Sequence, residues 1–205
     1  MQAASSHFDR EAAAYEHGRR YRRLARPRAC ALGSLRLTPT DRLLDVGCGT
    51  GEALRELAPQ IASATGIDIA PRMIDVARER AQEQANLEFV VADSAHLPFR
   101  DGAFTVAFCS FSFHHYPQPA LSLREIARVL GGGGRLVLAD VSSDDWRIRL
   151  VDPLARRREP GHVHFYRSEE LRHLLEEAGF APVTIHRPHA AWFMIATAVK
   201  HDATR

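Results

Sequence analysis

Three glycines and two acids stand close together in this chain of 205 residues, at spacings that could hold a charged ligand. The stretch "LLDVGCGTG" carries Asp45, Gly47, Cys48, Gly49 and Gly51, and Asp68 follows 21 residues after Gly47. Glycines let a backbone come close to a ligand, but several kinds of ligand use such a loop. A dinucleotide loop needs G-x-G-x-x-G, so that a helix N-terminus can receive a pyrophosphate. Here Glu52 takes the place of that pattern's third glycine, and Asp45 stands two residues ahead of the loop. Carboxylates flanking the turn disfavour a pyrophosphate and suit an ammonium or sulfonium cation. A carboxylate at Asp68 can accept bonds from both hydroxyls of a ribose. The residues ask for a nucleoside without phosphates that carries positive charge. A nicotinamide oxidoreductase, which the glycines first suggest, is disfavoured by Asp45 and Glu52.

The elements that must position these residues are visible as apolar runs. "RLLDV" from Arg42, "ATGIDI" from Ala64, "LEFVVAD" from Leu87, "FTVAFCSF" from Phe104 and "RLVLADV" from Arg135 are continuous rather than alternating. Such runs suit strands buried on both faces of a parallel sheet. Helical patterns lie between them. "ALSLREIARVL" places Leu123, Ile126, Ala127 and Leu130 at i, i+3, i+4 and i+7, and four glycines stop it. Another starts at Pro71 and carries Met73, Ile74, Ala77 and Ala81 on one face. After Val141 a charged, irregular stretch leads to a helix predicted to be capped by Ser168 and striped by Leu171, Leu174, Leu175 and Ala178. "PVTIHR" and "WFMIATAVK", separated by "PHAA", read as an antiparallel hairpin at the sheet edge. The predicted fold is a doubly wound, Rossmann-like α/β sheet in a single domain.

Composition narrows the function classes. With 45% apolar and 25% charged residues, the chain can bury one sizeable core. No run approaches a membrane span, and the first residues lack the apolar segment of a secretory signal, so the expected location is cytoplasmic. Cys30, Cys48 and Cys109 have neither disulfide nor zinc spacing and are expected to be reduced thiols. The net charge of +2 makes no case for nucleic acid. "RRYRRLARPR", Arg19 to Arg28, reads as a solvated basic face that Pro27 should break.

In their order and spacing, "FDREAAAY", "LLDVGCGTG", "GIDIAPRMIDVARER", "VVADSAHLPFRDGAFTVAFCSFSFHHYPQP", "LREIARVLGGGGRLVLAD" and "YRSEELRHLLEEAGF" resemble the class I S-adenosylmethionine-dependent methyltransferases. The likeness is to the small-molecule group that includes the ubiquinone and menaquinone C-methyltransferases, known as methyltransferase type 11. It implies a seven-stranded sheet of order 3-2-1-4-5-7-6 with strand 7 antiparallel, and S-adenosyl-L-methionine as cofactor. Residues 1–40 would form a helical lid, 41–141 the cofactor-binding core, and 142–205 an acceptor-side loop, helix and edge hairpin. By the same resemblance Asp45, Gly47, Cys48, Gly49 and Gly51 would surround the methionine part, and Asp68 would hold the ribose. Ile69 and Met73 would pack on the adenine, Asp93 and Ser94 would address its amino group, the Cys109 backbone would lie by the methionine end, and Tyr15 would come from the lid.

The partner implied is a small-molecule methyl acceptor, aromatic or heteroatom-bearing, and not a nucleic acid. "FCSFSFHHYPQP" lacks the Asn/Asp-Pro-Pro-Tyr signature of enzymes that methylate nucleobase amino groups, and the segment that marks quinone methyltransferases at the N-terminus is missing. Methyl transfer needs alignment and exclusion of water, with a base only where the acceptor must shed a proton. His162 is the first candidate for that base, because "PGHVHFY" reads as a loop from which a side chain can point over the cleft. His114 is the second, with Phe113 and Tyr116 beside it to stack an aromatic acceptor. A metal held by His162, His164, His114 and His115 is not expected, since no carboxylate accompanies them at ligand spacing. The alternative to an enzyme is a non-catalytic S-adenosylmethionine-binding regulatory protein, which would need no acceptor cavity.

Overall fold

The structure, a computed structural model, describes residues 6, 8–10, 12–158, 161–188 and 192–201. Seven strands form one sheet: β1 (Arg42–Val46), β2 (Ser63–Asp68), β3 (Leu87–Val91), β4 (Phe104–Ser110), β5 (Leu130–Val141), β6 (Phe180–His186) and β7 (Phe193–Lys200). Their order is β3-β2-β1-β4-β5-β7-β6. The first five pair in parallel, while β7 runs antiparallel to both β5 and β6, as expected.

The continuous apolar runs have the physical cause anticipated. Along β1, β4 and β5, Leu44, Val46, Ala107, Cys109, Leu136 and Leu138 face one core, and Leu43, Val106, Phe108, Val137 and Ala139 face the other. Successive strand residues point to opposite faces, so a sheet covered on both sides needs an apolar residue at every position. Helices α1 (Arg19–Gly33), α2 (Glu52–Leu57) and α3 (Pro71–Arg80) contribute Ala31, Leu54, Ile74 and Ala77 to the second core, and α4 (Pro119–Val129) contributes Leu123, Ile126 and Ala127 to the first. Pro71 stands at the start of α3, where a missing N–H is harmless.

Four local expectations are corrected. The helix α4 ends at Val129, and Leu130 with the four glycines already belongs to β5, where the register with β4 shifts between Phe104 and Val106. Pro27 does not break α1; it lies buried inside a helix that runs from Arg19 to Gly33. The charged stretch after Val141 contains a helix, α5 (Trp146–Arg158). Ser168 is not the cap of α6 (Ser168–Glu177): the cap position is Arg167, and the Ser168 N–H and hydroxyl both donate to Asp144. That carboxylate satisfies donors at the positive end of the helix. In the hairpin turn, His189 to Ala191 lie outside the described residues. Among the described residues no helix is long and apolar enough to cross a membrane.

Candidate functional site

The carboxyl ends of β1, β2 and β4 converge on the glycine loop. The Gly47 and Cys48 N–H groups donate to the Ile67 carbonyl at 2.8 and 2.9 Å, tying the loop to the end of β2. Gly47 and Gly51 have φ of +78° and +73°, the left-handed region that favours glycine. A Cβ at Gly47 would overlap the Ser112 side chain, and one at Gly51 would stand 2.6 Å from Cε1 of the Phe89 ring. Both glycines are therefore demanded by backbone and packing before any ligand is considered. Gly51→Ala combines a strained φ with this overlap and should destabilise the protein by about 2 kcal/mol. For a domain of this size the fall in Tm should be roughly 4–8 °C, read by thermal unfolding.

Two acids face the loop, Asp45 buried and Asp68 half-buried. Asp68 ends β2, and its Oδ2 accepts the Gly49 N–H at 3.0 Å while Oδ1 accepts the Ala70 N–H at 2.9 Å. Burial raises its pKa against the pull of those donors. Asp45, on β1, is 3% exposed. Burial first, and then the Asp68 carboxylate, push it up to about 7, with Arg28 acting in the opposite direction. Arg28 reaches the site from α1, donating to the Tyr21 hydroxyl at 2.7 Å and pairing with Glu52 at 2.5 Å. The site thus holds two acids that are costly to ionise together, and a bound cation would stabilise both.

A cleft opens above the strand ends. Of the residues expected from the sequence, Tyr15, Gly47, Gly49, Asp68, Ile69, Met73, Asp93 and Ser94 line it. Asp45 and Cys48 line an adjoining chamber that shares Tyr15, Gly47 and Gly49 with the cleft. Gly51 and Cys109 line neither. Cys109 is fully buried, with Sγ 3.2 Å from the Ser112 hydroxyl, and burial pushes its thiol up to about 12. Its neighbour Ser110 borders the cleft. Met73 is both core and wall, being 1% exposed. Asp93 serves the turn after β3 as well, accepting the Ala95 N–H at 3.0 Å.

The histidines divide unexpectedly. His162 does not point over the cleft: its side chain is fully buried, and Nε2 lies 2.7 Å from Asp152 Oδ1 on α5. The partner that claims it sits on the helix that the charged stretch concealed. His114 is also buried, and Asp140 at the end of β5 holds it twice, by Nδ1 at 2.6 Å and by the backbone N–H at 2.8 Å. Its Nε2 is buried with no hydrogen-bond partner among the described residues. The residue borders a second cavity with Arg23, Leu24, Phe111, Val141, Phe165 and Trp192. Phe111 lines this cavity and the cleft alike, at φ +54°, a strained value for a side-chain-bearing residue. Arg28, Phe111, Ser112 and Asp140 were missed from sequence. Of these only Asp140 had a usable sign, an acid at the carboxyl end of a strand run, like Asp45 and Asp68.

A family model described as "Methyltransferase domain" matches residues 44–138. The chain is 36% identical over 156 residues to the 27-O-demethylrifamycin SV methyltransferase of Amycolatopsis mediterranei, covering 73% of this chain and 57% of that one. It is 39% identical over 117 residues to a demethylmenaquinone methyltransferase of Deinococcus radiodurans, covering 55% and 48%. The chain thus spans about half the length of these curated relatives. The crystal structure of the YcgJ protein from Bacillus subtilis superposes with a TM-score of 0.75 at 21% identity, over 85% of this chain and 98% of that one.

Proposed function

Residues 44–138 match the methyltransferase domain family, and on that premise we propose that the chain transfers a methyl group from S-adenosylmethionine to a small acceptor. The observation that carries the reading is the pair of acids, buried Asp45 and half-buried Asp68, around a glycine loop at the mouth of a cleft that Asp68, Ile69, Met73, Asp93 and Ser94 line. When bound, S-adenosylmethionine supplies a methyl group already activated on a sulfonium. Asp68 would receive the ribose hydroxyls on lone pairs that Gly49 and Ala70 leave open. Ile69 and Met73 would sandwich the adenine, with Asp93 and Ser94 at its amino group. Asp45 would face the cationic methionine end in the chamber that Arg28 and Cys48 also line. Tyr15 would cover the ligand from the N-terminal segment, in which residues 1–40 act as the lid, over a core of 41–141 and an acceptor side of 142–205.

The second cavity supports an enzyme over a regulatory binding protein. It adjoins the cleft through Phe111, its walls are largely aromatic, and His114 with its bonded carboxylate borders it. A planar or apolar acceptor with an oxygen or another heteroatom fits that lining. Two relatives are named for methylation of a rifamycin oxygen and of demethylmenaquinone, both ring systems.

The test is thermal unfolding with candidate ligands. A ligand that binds only the native state stabilises it by about 2.7 kcal/mol at a hundredfold excess over Kd. S-adenosylmethionine or its demethylated product should therefore raise Tm by roughly 5–11 °C in a domain of this size. NADH should leave Tm unchanged. Equal shifts with NADH, or none with either methyl-cycle ligand, would remove the basis of the proposal.

A further inference from the structure

Helix α5 is built inside out. Of the five large apolar side chains exposed among the described residues, four lie on it: Trp146 at 61%, Leu150 at 69%, Val151 at 47% and Leu154 at 45%. Its one acid, Asp152, is turned inward and nearly buried, bonded to His162 Nε2 at 2.7 Å, to the Phe165 N–H at 3.1 Å and to Arg156 at 2.8 Å. At 3.6 residues per turn Trp146, Leu150 and Leu154 fall within about 80° of one another, on the side away from Asp152. A helix at a protein surface ordinarily does the reverse, and a contiguous exposed apolar face marks a contact.

The charge on the helix indicates what the contact is. Arg147 is paired with Asp145 at 3.0 Å and Arg156 with Asp152. Arg149, Arg157 and Arg158 make no ion pair among the described residues, and no acid of the helix shares the outward side. Arg157 falls within the apolar stripe, where its stem can cover apolar surface while the guanidinium reaches a polar layer. Apolar residues with a terminal tryptophan and Arg157 among them, on one side of a helix held at the surface, match a negatively charged lipid interface. A second copy of this chain fits poorly, because it would bring these unpaired arginines against one another. We propose that α5 docks the protein reversibly on an anionic bilayer, with Trp146, Leu150 and Leu154 at the boundary between headgroups and acyl chains. Phe165, bonded to Asp152 through its N–H, borders the cavity beside His114, so the docked face stands next to the acceptor side. That last connection rests on the proposed function; the docking itself does not.

The experiment sediments the full chain with vesicles of phosphatidylcholine alone and with about 30% phosphatidylglycerol, in about 0.1 M salt. The protein should pellet with the anionic vesicles, weaken in about 1 M salt, and stay in the supernatant with the neutral ones. Leu150→Glu with Leu154→Glu should weaken partitioning at least tenfold, with Tm unchanged because both side chains are exposed. Arg149→Gln with Arg157→Gln and Arg158→Gln should weaken it on anionic vesicles in the same direction. The proposal is overturned by equal binding to both vesicle types, by no binding to either, or by an unaffected Leu150→Glu/Leu154→Glu variant. A stable dimer in light scattering that this variant dissociates overturns it too, assigning the face to a second copy. None of these readouts uses cofactor or acceptor, so they stand apart from the melting test for S-adenosylmethionine.

Discussion

Replacing His114 by asparagine is expected to lower turnover on a hydroxyl acceptor by roughly 10²- to 10⁴-fold while leaving the affinity for S-adenosylmethionine unchanged. Asp140 receives the Nδ1 proton of His114 at 2.6 Å, which fixes the tautomer in which Nε2 carries the free lone pair. That Nε2 is buried and has no hydrogen-bond partner among the described residues. A buried polar atom in that state costs about 1–3 kcal/mol, a penalty that an acceptor hydroxyl donating to it would relieve. His114 would then take the proton that the hydroxyl sheds, and the Asp140 carboxylate would stabilise the imidazolium formed. Asp140→Asn should lower turnover in the same sense by mispositioning the ring. The discriminating measurement uses phenols of graded acidity. A phenol already ionised at the assay pH needs no base, so the deficit of His114→Asn should shrink towards nothing on such acceptors. An equal deficit on acidic and weakly acidic phenols would show that His114 only holds the loop in shape.

The contrast between His114 and His162 shows where sequence reasoning reached and where it stopped. The sheet was readable because strands buried on both faces must be apolar throughout, and β1, β4 and β5 are. Asp45, Gly47, Gly49 and Asp68 were readable because a strand end followed by glycines fixes where they stand. Helix α5 was not readable, since its apolar residues face outward and its carboxylate inward, which inverts the pattern that identifies a surface helix. With α5 concealed, Asp152 was concealed too, and His162 looked free. The strained φ of Phe111 leaves no mark on residue type, and Arg28 enters the site only because α1 continues through Pro27. Period-two alternation sends the Cys109 side chain into the core and brings Ser110 to the cleft.

Cofactor affinity is expected to depend on pH through Asp45, and by a large factor. Its carboxyl is pushed up to about 7 in the unliganded protein, well above the ordinary carboxylate range. Below about pH 4 the group is protonated in both folded and unfolded chains and contributes nothing. As pH rises towards 7 the unfolded chain sheds the proton and the folded chain keeps it, so folding stability falls by up to about 1.4 kcal/mol per unit, then levels off. A ligand bearing a sulfonium or ammonium needs the ionised form. Binding below pH 7 must therefore release a proton, and Kd should tighten about tenfold per unit from pH 5 before flattening above 7. Of the other groups facing Asp45, Arg28 stays cationic and the Cys48 thiol is pushed well above its ordinary value, while burial raises Asp68 too, against the Gly49 and Ala70 donors. Asp45→Asn should flatten the slope of Kd with pH, bind more weakly than the parent at pH 8, and be the more stable of the two without ligand there. Titration calorimetry in buffers of different ionisation enthalpy reads the released proton directly. If parent and variant show the same pH dependence, the cation of the ligand is not beside Asp45, and the acid pair serves the loop rather than the methyl donor.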